Sequence, residues 1–417
     1  MGSKRLDRRG FLKGGAALTG GYTLGAVAPA FGQTQTPASP PMIKEKTDQI
    51  AYGARSKHVT SVRIPHGGRP SPDNFGLTFH VASPLQDSVG VITPSSLHYY
   101  ATTRGSFLPD IDPREHTLLI HGLVDRPLTF SMADLKRFPS VTRLHFIECA
   151  GNRSTPRAKT VQESHGMTSC AEWTGVLLST LLKEAGVKGS ASWFVAEGKE
   201  EVKGASSMPL AKAMDDVLVA YGMNGEAVRP QNGFPLRLMV PGFEGIFHTK
   251  WLQRIKLVDR YYMNYSDYGH LHDDKVEAAL GYQWGPKSVI TFPSGSQQLP
   301  GRGFYEISGL AWSGGGAIRR VEISTDNGKS WKNAEFKGTP QRMAHTRFGL
   351  PWNWDGTETV IMSRCTDELG SVQPSRIQVA EHFHKPIDAS FSVPGLDNSI
   401  QPWHIASDGS VTNGYNS

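Results

Sequence analysis

The most chemically loaded feature of this sequence is a cysteine that closes a strand-like run and opens a turn. In Phe146-Ile147-Glu148-Cys149-Ala150-Gly151-Asn152-Arg153 the small residues after the thiol let another group approach it. A thiolate in that position suits a soft or high-valent metal, and Asn152 and Arg153 are able to hold anionic ligand groups. The competing reading is a buried cysteine acting as a small hydrophobe. Only three cysteines occur, Cys149, Cys170 and Cys365, far apart and without CxxC or zinc spacing. An odd, sparse set argues against a disulfide framework and leaves a single thiolate ligand as the more informative possibility.

A second concentration of chemistry follows. Tyr221-Gly222-Met223-Asn224-Gly225-Glu226 leads to Asn232-Gly233-Phe234-Pro235-Leu236-Arg237, then Val240-Pro241-Gly242 and His248-Thr249-Lys250-Trp251. Arg237, His248 and Lys250 could converge on a phosphate, with glycines permitting close backbone approach; taken singly, each reads as a solvated charge. Other signals fail on inspection. Gly328-Lys329-Ser330 has Ile323 where a phosphate loop needs its first glycine, so it reads as a hairpin turn. Ser324 to Trp331 resembles one aspartate-box turn, but a propeller requires repeats and there is no second copy. His270-Leu271-His272 and His382-Phe383-His384 have no third ligand at clear spacing and read as loop or edge histidines.

These residues need a scaffold. With 38% hydrophobic and 20% charged residues and 45 glycines in 417, the chain reads as globular and loop-rich, long enough for one large and one smaller domain. Arg8-Arg9-Gly10-Phe11-Leu12-Lys13, a mild apolar run from Ala16 to Val27 and the small-residue site Ala28-Pro29-Ala30 form a twin-arginine export signal over 1–30, too short in its apolar run to span a bilayer. Such export carries folded proteins, which hints at a cofactor inserted beforehand, and it places the mature chain in the periplasm. Removing Lys4, Arg5, Arg8, Arg9 and Lys13 with Asp7 turns 44 basic against 38 acidic residues into 39 against 37, about +2, so no nucleic-acid footprint remains. A flexible leader occupies 31–55. Strand-like runs such as His116 to His121 and Val141 to Glu148 alternate with helix-like runs such as Leu177 to Ala185 and Leu210 to Met214, which indicates α+β. After about residue 285 helical periodicity vanishes. Phe304 to Leu310, Ile318 to Ser324 and Val360 to Cys365 have sandwich spacing, with a hairpin turn at Asp326-Asn327-Gly328.

Taken in order, these motifs resemble the sulfite oxidase family over nearly all the mature chain. The resemblance rests on Glu148 to Arg153, Ala171-Glu172-Trp173-Thr174-Gly175-Val176, Tyr221 to Glu226 and Gly233 to Lys250. It continues through Gly309-Leu310-Ala311-Trp312-Ser313-Gly314-Gly315-Gly316 and Val321 to Trp331. It implies a mixed α/β molybdopterin-binding domain at 56–285, an immunoglobulin-like dimerisation sandwich at 286–390, a C-terminal tail at 391–417 and a molybdenum–molybdopterin cofactor. It implies Cys149 as the only protein ligand to the metal. Positions matching His80, Arg237, His248, Thr249 and Lys250 hold the pterin phosphate and ring, Phe79 lies at a cofactor-contacting position, and Asn232 stands where animal enzymes carry a histidine. Asp267-Tyr268 resembles the pair supplying an active-site tyrosine, and Trp173 the pocket tryptophan. The acidic partner of the pterin stays open among Glu197, Glu200 and Glu201. The implied chemistry transfers oxygen to a sulfur lone pair and passes two electrons singly to a haem.

Departures from the family narrow the substrate. Thr78 and Ser154 replace two arginines that grip the sulfite dianion, and the arginine-bearing motif near the C-terminus is missing. Each charge-assisted pair is worth about 1.5 to 3 kcal/mol, so free sulfite should bind weakly. With His98-Tyr99-Tyr100-Ala101-Thr102-Thr103-Arg104-Gly105, Ile120 to Pro127 and Trp403 to Gly409, these departures resemble the molybdenum subunit of sulfane dehydrogenase in the thiosulfate-oxidising Sox system. That subfamily implies oxidation of a persulfide on a carrier-protein cysteine and electron transfer to a dihaem cytochrome c, in a homodimer or a heterotetramer with the cytochrome. No CxxCH haem site exists in the chain, so the acceptor must be another protein. Two alternatives stand beside this. One is a dehydrogenase of free sulfite with charge supplied by Arg104, Arg153 or Arg157. The other is an exported binding module without metal.

Overall fold

The computed structural model describes residues 53, 55–66, 79–102, 108–199, 205–263, 282–387 and 395–416. From Ser61 onward they belong to one compact unit. Among the described residues no helix is long and apolar enough to cross a membrane.

The N-terminal half rests on three sheets. A small antiparallel one joins β1 (Ile64–Pro65), β2 (Phe79–Ala82) and β3 (Tyr100–Thr102). A second runs β5 (Leu128–Ser131), β4 (Thr117–Gly122), β13 (Leu252–Val258), β8 (Trp193–Gly198) and β9 (Ala205–Pro209), with β4 and β13 parallel. Period-two alternation sends Leu118 and Ile120 of β4 inward, both fully buried. The third sheet carries the chemistry. Its order is β11 (Glu226–Ala227), β10 (Leu218–Met223), β7 (Thr168–Leu177) and β6 (Val141–Glu148), with β12 (Arg237–Met239) also pairing with β10.

Five short helices accompany the sheets: α1 (Met132–Leu135), α2 (Val161–His165), α3 (Leu178–Ala185), α4 (Leu210–Asp215) and α5 (Arg376–His382). In α3 the spacing Leu178, Leu181, Leu182, Ala185 makes one apolar face, fully buried in the core, and Gly186 ends the helix at φ 72°. Truncating a buried leucine of this face costs about 2 to 5 kcal/mol.

The C-terminal half is a β-sandwich. One sheet runs β14 (Lys287–Phe292), β15 (Gly303–Trp312), β19 (Thr346–Trp354) and β18 (Glu335–Phe336). The other runs β17 (Lys332–Asn333), β16 (Ile318–Ser324), β20 (Thr359–Asp367), β21 (Pro402–Ile405) and β22 (Val411–Asn413). The hairpin after β16 turns at Asn327 and Gly328, with φ of 60° and 80°, and Ser330 N–H donates to Asp326 Oδ1 at 2.9 Å. The hydrophobic cluster inside the sandwich continues across the domain boundary, because Phe146, Val161 and Cys170 pack with Trp284, Trp312 and Trp403.

Two expectations need correction. Residues 391–417 are not a free tail from Pro402 on, because β21 and β22 extend the second sandwich sheet and bury Trp403, Ile405 and Val411. Alternating apolar residues there complete a sheet face that would otherwise be open to water. Helical structure also does not end at residue 285. Ser375 and Gln378 form a reciprocal capping box that starts α5, the helix that carries His382, and His384 follows it at φ 52°.

Candidate active site

β6 and β7 pair along the whole of β6, from Val141 opposite Gly175 to Glu148 opposite Thr168, and the chain leaves the sheet at Cys149. Cys149 N–H donates to Met167 O at 3.0 Å, and Asn152 N–H donates to Cys149 O at 2.9 Å, which closes the turn. Cys170 and Cys365 are buried, whereas Cys149 keeps part of its surface open. Burial nevertheless pushes its thiol up to about 12. The Glu244 carboxylate adds to this, the Gly151 N–H opposes it, Glu148 adds again and Arg153 opposes. A thiolate at this spot therefore needs a nearby cation, which a bound metal supplies. Among the described residues no group of three or more His, Cys, Asp or Glu forms a metal site of its own.

Behind the thiol lies a fully buried polar knot. Glu148 Oε1 accepts from Asn152 Nδ2 at 2.8 Å and from Lys287 Nζ at 2.7 Å, and Glu148 Oε2 accepts from Trp312 Nε1 at 2.5 Å. Lys287 Nζ also donates to Asn152 O at 2.7 Å. Glu148 and Lys287 side chains have no exposed surface. The sequence alone assigns no site role to Lys287, Trp312, Glu244 and Tyr99, although Tyr99 and Trp312 sit in motifs that carry the resemblance.

On the same sheet, Arg237 at the start of β12 lies opposite Ala220 and holds its guanidinium 5.4 Å from the Trp173 ring. Its Nη1 donates to Asn232 O at 2.8 Å. Burial lowers its pKa to about 10, which leaves it charged at neutral pH. Arg237 Nε, Asn232 Oδ1 and His98 Nε2 are buried without a hydrogen-bond partner. Unmet polar atoms of this kind beside a buried cation fit an anionic, hydrogen-bonding group such as a pterin phosphate. Gly233, at φ 113°, brings this segment to the Lys250 backbone, where a Cβ would stand 3.0 Å from Lys250 Cα.

Lys250 Nζ donates to Ala101 O at 3.0 Å and lies 4.4 Å from the Tyr100 ring. His80 of β2 is the register partner of Ala101 on β3, the residue whose carbonyl accepts from Lys250, and Phe79 is the register partner of Thr102. Tyr99 links the two halves of the site: burial first, and then the fields of Cys149 and Arg237, act on its hydroxyl. Thr249 is buried and its carbonyl accepts from Leu238 N–H at 2.8 Å. His248 is wrapped by backbone, its Nδ1 accepting from Val240 N–H at 3.3 Å and its Nε2 donating to Phe243 O at 3.2 Å. Burial and the Arg237 charge hold its ring neutral. Trp173 is fully buried and donates Nε1–H to His145 O at 3.3 Å, with the Arg237 guanidinium over its ring. Glu197 pairs with Arg254 and accepts from Gln253. Thr78, Arg104, Glu200, Glu201 and Tyr268 lie outside the described residues.

Ser154 replaces the second expected arginine, and its direction is informative. Its N–H donates to Asp397 Oδ2 at 3.0 Å and its hydroxyl to Ser399 O at 3.0 Å. Asn413 Nδ2 also donates to Thr155 O and Ala158 O, both at 2.8 Å. The stretch after Arg153 is thus bound to the C-terminal segment.

Comparison with known proteins identifies the two domains. Residues 105–266 match the oxidoreductase molybdopterin binding domain and residues 280–381 the Mo-co oxidoreductase dimerisation domain. The chain is 32% identical over 393 residues to nitrate reductase [NAD(P)H] of Hordeum vulgare, covering 81% of this chain and 42% of that protein. It is 31% identical over 327 residues to mitochondrial sulfite oxidase of Mus musculus, covering 69% and 58%. It therefore spans roughly half the length of these curated relatives, 42% of one and 58% of the other. The crystal structure of the sulfane dehydrogenase SoxCD from Paracoccus pantotrophus superposes with a TM-score of 0.77 at 33% identity, covering 90% of this chain and 99% of that one. The chain belongs to the sulfite oxidase family of molybdopterin oxidoreductases, and molybdenum–molybdopterin is its cofactor.

Proposed function

We propose that the protein oxidises a sulfane sulfur presented as a persulfide on the cysteine of a carrier protein, and passes the electrons to a cytochrome c in the periplasm after twin-arginine export. When bound, the cofactor supplies two-electron oxidation of sulfur with oxygen drawn from water. The chain's share is to hold that group and shape access to it. Cys149 offers the thiolate. Arg237, Asn232 and Lys250 offer charge and hydrogen bonds to the pterin and its phosphate, with His80 on the neighbouring strand β2, and Arg237 stays charged because its pKa, lowered by burial to about 10, is still well above neutral pH. Tyr268 and Arg104 are assigned to the substrate side.

The observation that carries the substrate reading is Ser154. Its side chain is committed to Ser399, so this position provides no guanidinium for a free dianion. A substrate whose binding energy comes from a carrier protein does not need that grip. Likeness to the SoxCD structure supports the same reading. The dehydrogenase of free sulfite keeps one supporting observation, the electrostatic influence of Arg153 on the Cys149 thiol. Reduction of ferricytochrome c with persulfide-loaded carrier against sulfite, at matched sulfur concentrations, separates them. Turnover on the carrier with little on sulfite is expected, and efficient turnover on sulfite alone would overturn the proposal.

A further inference from the structure

We infer that Glu148, Lys287 and Trp312 are positioning residues that let the second domain set the orientation of the Cys149 sulfur. The inference rests on the reading of Cys149 as the metal ligand. Lys287 opens β14 and Trp312 closes β15, and the two are register partners across that strand pair. Together they present an ammonium and an indole N–H to one carboxylate of the other domain, at 2.7 and 2.5 Å. Lys287 holds both ends of the cysteine turn, because Nζ donates to Glu148 Oε1 and to Asn152 O. Trp284 adds a third tether, its Nε1 donating to Glu148 O at 3.3 Å. Asn152 completes the frame by donating to Glu148 and accepting from Met167 N–H at 3.0 Å.

Stability alone is a poor reason for this arrangement. A fully buried ion pair gives up hydration on both partners, and an apolar pair of similar volume would hold the domains together as well. What the pair supplies is direction: charge-assisted hydrogen bonds fix the residue preceding the thiol and the residue closing its turn. Partners that orient a metal ligand in this way usually change metal affinity or activity about ten- to a hundredfold when removed. The domain whose family is described as a dimerisation domain therefore also belongs to the metal site of its own chain.

The experiment uses the full mature chain, purified with its cofactor, in two variants. Trp312→Phe removes one donor and keeps an aromatic side chain. Glu148→Leu with Lys287→Met replaces the ion pair by apolar bulk. Molybdenum content, the electron paramagnetic resonance spectrum of the one-electron-reduced metal, and kcat are read for each. The expected result is retained folding, an altered spectrum and a kcat lowered about tenfold or more. A folded, metal-loaded Trp312→Phe protein with the wild-type spectrum and kcat would overturn the inference, whatever the double variant does. Wild-type protein without molybdenum, or a Cys149→Ser protein with the wild-type spectrum, would instead sink the metal-ligand reading beneath it.

Discussion

His345 is expected to make the folded protein acid-sensitive, and its contribution can be isolated. The residue precedes β19, is 2% exposed, and its Nε2 meets Thr168 Oγ1 of the other domain at 3.0 Å. Its ring lies 4.9 Å from that of Trp312 and stacks on Phe146 at 6.2 Å. Burial first, then the Arg347 charge and His98, lower its pKa from 6.5 to about 3. The folded state thus resists protonation while the unfolded chain accepts it below about 6.5. Stability from this group is fully present above the unfolded value and is lost as pH falls from there towards about 3. At about pH 5 the unfolded chain gains about 1.5 pK units of proton binding that the folded state lacks, or about 2 kcal/mol. Against a typical total of about 5 to 15 kcal/mol this is measurable. His345→Gln keeps an N–H for Thr168 but cannot titrate. Urea unfolding of both proteins at about pH 8 and about pH 5 should show a fall smaller by about 2 kcal/mol in the variant, while His98 and His145 contribute to both. Parallel falls in the two proteins would refute the reasoning.

Three further outcomes are expected. Cys149→Ser should abolish ferricytochrome c reduction while circular dichroism and melting temperature stay near wild type, because serine nearly matches cysteine in size at this partly open position; full activity in that variant would remove the metal-ligand claim. Gly233→Ala should lower molybdenum content measured by elemental mass spectrometry, because φ 113° and a contact at 3.0 Å to Lys250 Cα displace the segment between Asn232 and Arg237. Ser154→Arg should lower the melting temperature without improving the KM for sulfite, since the side chain at 154 points at Ser399 and is buried; a large gain in sulfite affinity would count against the assignment of this face.

Much of the architecture was written in short-range pattern. The strand Val141–Glu148, the hairpin at Asn327-Gly328 and the buried face of Leu178–Ala185 each follow from period, propensity or turn chemistry within a dozen residues. The order of the two domains, the cofactor class and the family were legible because the motifs occur in sequence. Asn232 and Arg237 of one motif and Trp173 of another lie together in the fold. What the sequence could not settle is pairing over long range. Glu148 and Lys287 are 139 residues apart, and Thr168 and His345 are 177 apart. Ser154 reads as a lost arginine in sequence, but only the fold shows that its hydroxyl donates to Ser399 O of the C-terminal segment. The segment after 391 reads as a tail because its strands are short, and it becomes sheet only where β20 offers an edge. Local residues determine which backbone shapes are cheap. Which distant charges meet, and which polar atoms stay unmet for a cofactor, depends on packing that buries them together.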